Sequence, residues 1–221
     1  RIEKAKNSEN PLEEFYKILK ELREFKVLDP ACGSGNFLFV AYREMKTLEK
    51  ELIVLIKEHS KTDKEKERVK QFLANNHYVS VNQFYGIDLK YFAVEVAKMT
   101  LMVAKELWVT EYGEENDFEK ALPLDNLNEN IQARDALINE HDKPAKWPKT
   151  NAIIGNPPFQ SKNKMQEEFG AEYVSKVRES YPDIPGRADF CVYWFRKAHD
   201  HLKENERAGL VGTNTIRQNY S

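Results

Sequence analysis

Apolar positions along this chain recur with two periods, and the switches between them mark out the elements. From Pro11 to Phe25, Leu12, Phe15, Tyr16, Ile18, Leu19 and Leu22 fall at helical spacing, which predicts an amphipathic helix closing a helical lead-in over about residues 1–25. Lys26-Val27-Leu28-Asp29 reads as a short apolar strand ending in an acid, and a glycine-rich turn follows from Pro30 to Gly35. Helical spacing resumes over roughly 36–58. The stretch 60–70 carries charges of alternating sign and reads as a solvated helix face or a loop, not as a nucleic-acid patch. Residues 83–88 predict a second strand, 91–107 an amphipathic helix and 111–130 a polar loop. Ile131–Asp135 reads as a short strand, 143–150 as a proline-broken loop and Ala152–Gly155 as a further strand. Residues 164–180 and 187–203 read as helices separated by a Pro/Gly break at 182–186, and Ala208–Thr213 as a last strand, its Gly209–Gly212 run buried.

Strands that alternate with helices predict an α/β fold built on a parallel sheet with right-handed crossovers. Ligands in such sheets sit beyond the carboxyl ends of the strands. The unusual motifs of this chain fall at those ends.

Composition narrows the classes. The chain has 221 residues, 32% charged and 41% hydrophobic, enough for one large domain with a real core. Its net charge of −2 supplies no global field to attract nucleic acid, so a DNA-binding surface would have to be local or lie outside this sequence. Two cysteines, Cys32 and Cys191, make neither a disulfide framework nor a metal site, which points to a reducing, cytoplasmic setting. No run is long enough for a membrane span. The chain opens on Arg1 and stops at Ser221 just after an apolar run, so a fragment of a longer protein is expected.

Four motifs carry candidate chemistry. In VLDPACGSGNF (Val27–Phe37), a strand ends in Asp29, and Gly33 and Gly35 let the backbone turn sharply and approach a ligand closely. Phe37 and Leu38 stand where GxGxxG would put its third glycine, which argues against a pyrophosphate seat and suits a ligand without phosphate. The plain alternative is a strand–turn–helix connection that binds nothing. In YGIDL (Tyr85–Leu89), Asp88 ends a strand and can accept from both hydroxyls of a ribose, although its position before a helix equally suits an N-cap. In ARDAL (Ala133–Leu137), Asp135 can accept from an adenine amine with Ala136 or Leu137 flanking the ring, or simply serve a turn. In IIGNPPF (Ile153–Phe159), two prolines stiffen the backbone so that the carbonyls of Asn156 and Pro157, with the Asn156 amide, project as fixed acceptors for a planar amine. Phe159 offers a face for a flipped base, and the competing reading is a rigid turn. Cys32, in the glycine turn, reads as packing and not as a nucleophile. Tyr193, Trp194 and Phe195 read as core; Lys162, Lys164 and Arg217 lie where they could touch phosphates.

DPACGSGNF at 29–37 resembles motif I of the adenine-N6 DNA methyltransferases, and NPPF at 156–159 their catalytic motif IV, with GIDL (86–89) and RDAL (134–137) standing where motifs II and III would stand. Longer stretches, including NPPFQSKNKMQEEFGAEYV and PGRADFCVYWFRKA, are similar to a narrower group, the MmeI-like enzymes that fuse methylation and restriction in one chain. The resemblance spans roughly residues 25–221 and implies a Rossmann-like class I methyltransferase fold, S-adenosyl-L-methionine as methyl donor and direct transfer, without a metal, to the N6 amine of an adenine flipped out of double-stranded DNA. Asp29, Ala31, Cys32, Gly33, Gly35 and Phe37 would line the methionine end of the cofactor, Asp88 would hold its ribose and Asp135 and Ala136 would contact its adenine, with Pro30, Asn36 and Leu89 also cofactor-binding. Asn156, Pro157 and Phe159 would form the catalytic pocket, with Pro158 fixing its shape. The resemblance also implies further strands, a target-recognition domain and a nuclease outside these residues. The truncated sheet is then expected to expose an edge that favours dimerisation. The alternatives are a same-fold enzyme acting on RNA adenine or a protein glutamine amide, and a cofactor-binding fragment inactive alone.

Overall fold

A computed structural model describes residues 1–75, 79–112, 127–186 and 188–213. Two N-terminal helices, α1 (Ile2–Lys6) and α2 (Pro11–Glu24), precede β1 (Val27–Asp29). Asn10 caps α2 by accepting from Glu13 N, and Pro11 takes the first helical position, where its missing N–H costs nothing. Next come α3 (Asn36–His59), α4 (Asp63–Asn75), β2 (Phe84–Asp88) and α5 (Tyr91–Tyr112). β3 (Ile131–Ala133), β4 (Ala152–Gly155), α6 (Lys162–Ser180), α7 (Cys191–His201) and β5 (Arg207–Leu210) complete the described chain.

The sheet is parallel throughout, in the order β3-β2-β1-β4-β5. Alternation along the strands divides the core between two faces. Leu28, Ile87 and Ile153 face α6 and α7 through Val174, Val177, Tyr193 and Trp194. Val27, Phe84 and Ile131 face α3 and α5 through Leu38, Tyr42, Leu101 and Trp108. A third cluster ties α1, α2 and α4 to the outer part of α3, where buried Glu49 accepts from Arg23 Nε, Lys46 Nζ and Val79 N, each at 3.0 Å. After β3 the chain crosses back over β2 and β1 to β4 through a connection without a helix, held by Trp147 Nε1 on Ala136 O (2.8 Å) and Ala145 N on Leu137 O (2.8 Å). That reversal puts the topological switch point between β1 and β4.

The α/β architecture is the one expected. The charged stretch after residue 60, read as a solvated helix face or a loop, is the helix α4, whose buried Val69 packs on the helical cluster. One element differs. The last strand ends at Leu210 and its Arg207, Ala208 and Gly209 are exposed, where a buried strand was expected. It is the outermost strand described, flanked by β4 alone. Both cysteines are free and buried. Among the described residues no helix is long and apolar enough to cross a membrane. Arg217 and the side chain of Lys162 lie outside the described residues.

Candidate functional site

The carboxyl ends of four strands open into one cavity of about 370 Å3. Pro30, Ala31 and Gly33 line it after β1, Asp88 and Leu89 after β2, Asp135 and Ala136 after β3, and Asn156 and Pro158 after β4. The volume falls in the range usual for small-molecule sites. A larger concavity, of about 760 Å3, is lined by Trp147, Tyr181, Lys197 and His201 and by none of the motif residues. Convergence of the four motifs, not size, marks the site.

Hydrogen bonds within and between the motifs hold them in place. The turn after β1 is pinned at Cys32 N, which donates to Ile87 O (3.0 Å), and at Gly35 N, which donates to Cys32 O (2.8 Å). Gly35 caps α3 in the left-handed region (φ 83°), and a Cβ there would lie 3.0 Å from Ala97 Cα, so the glycine also lets α3 close on α5. The Asp88 carboxylate accepts from Gly33 N (3.0 Å) and from Lys90 N (2.9 Å), joining the glycine turn to the start of α5. Asp135 Oδ1 accepts from Leu137 N (2.7 Å) and Ile138 N (3.3 Å), and its Oδ2 from Tyr173 Oη (2.8 Å).

Asp29 does not line the cavity. It is 1% exposed, its Oδ1 accepts from Ala31 N (3.0 Å), and its carboxylate packs against Gly155 of β4. Burial pushes its carboxyl up to about 7, with Asp88 adding in the same direction, while the bond from Ala31 opposes both. Since the folded pKa lies above the ordinary 3.8, the folded protein binds the extra proton, and this group's contribution to stability falls as pH rises from about 4 to about 7. Cys32 is buried with its Sγ against Gly86, and burial drives its thiol far up, the environment of an inert packing cysteine.

The run after β4 alternates like a strand. Asn156, Pro158 and Gln160 line the cavity, Pro157 is buried, and Phe159 is exposed outside the lining. Nothing among the described residues hydrogen-bonds to the exposed Asn156 side chain. Gln160 N donates to Asp189 Oδ1 (3.3 Å) and Phe190 N donates to Gln160 O (2.9 Å), which fastens the run to the start of α7. Cys32 and Gly35 are buried beneath the glycine turn, and Asn36 and Phe37 are exposed at the start of α3, outside the lining. The cavity adds residues the sequence did not single out as site residues: Lys90, Ala93, Arg134, Gln160, Glu168, Phe169 and Phe190. Trp194, expected as core, is 5% exposed but also lines the cavity, with Nε1 donating to Pro30 O (2.9 Å). Phe190 and Trp194 stand four apart, with ring centroids 4.9 Å apart. That spacing was the signal available. Trp194→Phe is expected to cost about 1 kcal/mol and a few degrees of melting temperature, read by thermal unfolding, because it leaves the Pro30 carbonyl without its buried donor.

A family model described as MmeI, DNA-methyltransferase domain, matches residues 2–221. The chain belongs to the MmeI DNA-methyltransferase domain family. This MmeI-type domain is 28% identical over 212 residues to DNA methyltransferase A of Bacillus subtilis (strain 168), an alignment covering 91% of this chain and 22% of that protein. It is 25% identical over 219 residues to the adenine-specific methyltransferase PglX of Streptomyces coelicolor, covering 86% of this chain and 16% of that one. The chain therefore spans only about a fifth of the length of these relatives. Among solved structures it superposes on the type IIL restriction-modification enzyme MmeI, determined in complex with DNA, with a TM-score of 0.66 at 23% identity, covering 97% of this chain and 27% of that one. The likeness establishes a Rossmann-like methyltransferase fold for this MmeI-type domain.

Proposed function

We propose that this domain transfers a methyl group from S-adenosyl-L-methionine to the N6 amine of an adenine in double-stranded DNA, as the modification part of a restriction-modification protein. The observation that carries the reading is the single cavity at the switch point that unites Asp88, Asp135 and Asn156. Its donor set fits the cofactor. Carboxylates at Asp88 and Asp135 keep lone pairs free for ribose hydroxyls and an amine, and Leu89, Ala136, Pro158 and Phe190 give apolar walls for a purine. Adenine as the target rests on the NPPF run and is supported by the adenine-specific name of the Streptomyces relative.

The bound cofactor supplies an already activated methyl group, so the domain's own work is placement and exclusion of water. Asn156, on the cavity wall, accepts hydrogens of the target amine with its amide oxygen and, with the Pro157 carbonyl, aims the nitrogen lone pair at the donor. Phe159, 42% exposed beside this wall, gives the extruded base a face to stack on. Lys164, at the start of α6, is exposed and available to a phosphate of the same strand.

The test is incorporation of labelled methyl groups by the whole protein offered DNA, RNA and protein. N6-methyladenine in DNA is the expected product. 5-Methylcytosine, or label only in RNA or in protein glutamine, overturns the assignment. A pH series adds a second check. A cationic cofactor in the cavity favours ionised Asp29 through space, from behind the lining, so cofactor affinity is expected to rise as pH is raised from 6 through about 7 and then to level off, by less than about tenfold per unit on the rising limb. Asp29→Asn should flatten that rise in a calorimetric titration.

A further inference from the structure

Gln160 holds a feature of the cavity that the motifs leave unexplained. Its side-chain Oε1 is buried and meets no hydrogen-bond partner among the described residues, although the residue lines the cavity. Its backbone is fixed at both ends by Asp189 and Phe190, so the side chain leaves from a set position. Its Nε2 donates to Glu168 Oε2. A carboxylate only accepts, so Glu168 decides which way the amide faces: the NH2 end turns to Glu168 and the oxygen, on a residue of the cavity wall, is left without a partner. A buried acceptor without a partner calls for a donor from elsewhere.

We propose that the side-chain oxygen of Gln160, oriented by Glu168, accepts a hydrogen bond from the exocyclic amine of the cofactor's adenine and makes the site selective for a 6-amino purine. The inference rests on the reading of this cavity as the S-adenosyl-L-methionine site. A planar amine offers two hydrogens. Asp135, after three donors, has one acceptor position left on Oδ2, enough for one of them. Gln160 supplies the acceptor for the other. Helix α6 sets both: Glu168 orients Gln160, and Tyr173 holds Asp135. The helix is interrupted between them at Gly170 (φ 83°), and Phe169 bridges the break, with ring centroids 5.3 Å from Tyr173 and 5.6 Å from Phe190. A 6-oxo purine would turn an acceptor toward two acceptors, a mismatch that a buried polar site rejects strongly.

Calorimetry on the whole protein with S-adenosylhomocysteine and its 6-oxo counterpart, S-inosylhomocysteine, tests this without turnover. The unaltered protein is expected to prefer the adenosyl compound by more than about tenfold. Gln160→Leu should weaken the adenosyl compound, leave the inosyl compound unchanged or improved, and shrink the preference at least about tenfold. Glu168→Gln leaves the cavity's shape intact but frees the amide to flip, so it should shrink the preference mainly by improving the inosyl compound. This second variant carries the test if Gln160→Leu melts early. A preference unchanged in folded Gln160→Leu or in Glu168→Gln overturns the proposal. Failure of the unaltered protein to bind either compound overturns instead the cofactor reading beneath it.

Discussion

Asn156→Ala lowers the rate of methyl transfer to DNA by about 10²–10³-fold, or about 3–4 kcal/mol of barrier, with cofactor affinity held within a few-fold. The split follows from position. Asn156 sits on the cavity wall contributed by β4, and its amide meets no partner among the described residues, so its removal disturbs no internal network. Asp88 and Asp135, which the proposed function assigns to the cofactor, lie after β2 and β3. What is lost is the acceptor that orients the amine when the methyl group moves, an interaction stronger in the transition state than before it. Pro157 and Pro158 keep the backbone carbonyls in place, so some transfer remains. Single-turnover rates with labelled cofactor, beside a calorimetric titration, separate the two quantities. An equal loss in affinity and rate would move Asn156 from the target amine to the cofactor.

Much of this site could be read from local pattern because each motif sits at a strand end that the chain itself marks. Asp29, Asp88 and Asn156 each fall at or just beyond the end of an apolar run, and the parallel sheet gathers those ends on one side. The rest depends on approaches between residues distant in sequence. Trp194 lies 164 residues from the Pro30 carbonyl it holds, and helical periodicity records only that it is buried. Gln160 and Glu168 are eight apart, a separation without a local rule, and their pairing needs the run after β4 to lie extended beside the first turns of α6. Helix α4 was ambiguous because Val69, Phe72 and Leu73 are its only bulky apolar residues among alternating charges, too few to fix a period. The exposure of β5 reflects its place at the described edge of the sheet, which an apolar composition cannot report.

The second large effect is expected where β1 and β4 touch. Gly155→Ala should cost about 2–4 kcal/mol of stability and collapse cofactor binding together with activity. Gly155 has φ 150°, a conformation that residues with a Cβ rarely adopt, and an added Cβ would stand 2.5 Å from Asp29 Oδ1. Neither side can give easily. Gly155 is held in register beside Leu210, and its carbonyl accepts from Val211 N (2.9 Å). Asp29 is buried and tied to Ala31 N at the mouth of the glycine turn. The displaced carboxylate would therefore push the turn that lines the cavity, and the site would lose its shape before the sheet lost its strands. Asp29→Ala made in the same chain separates steric crowding from backbone strain. If crowding dominates, the double variant recovers much of the lost melting temperature, and the two substitutions are strongly non-additive. If the positive φ dominates, it recovers nothing, and the constraint on Gly155 lies in the backbone and not in the carboxylate beside it.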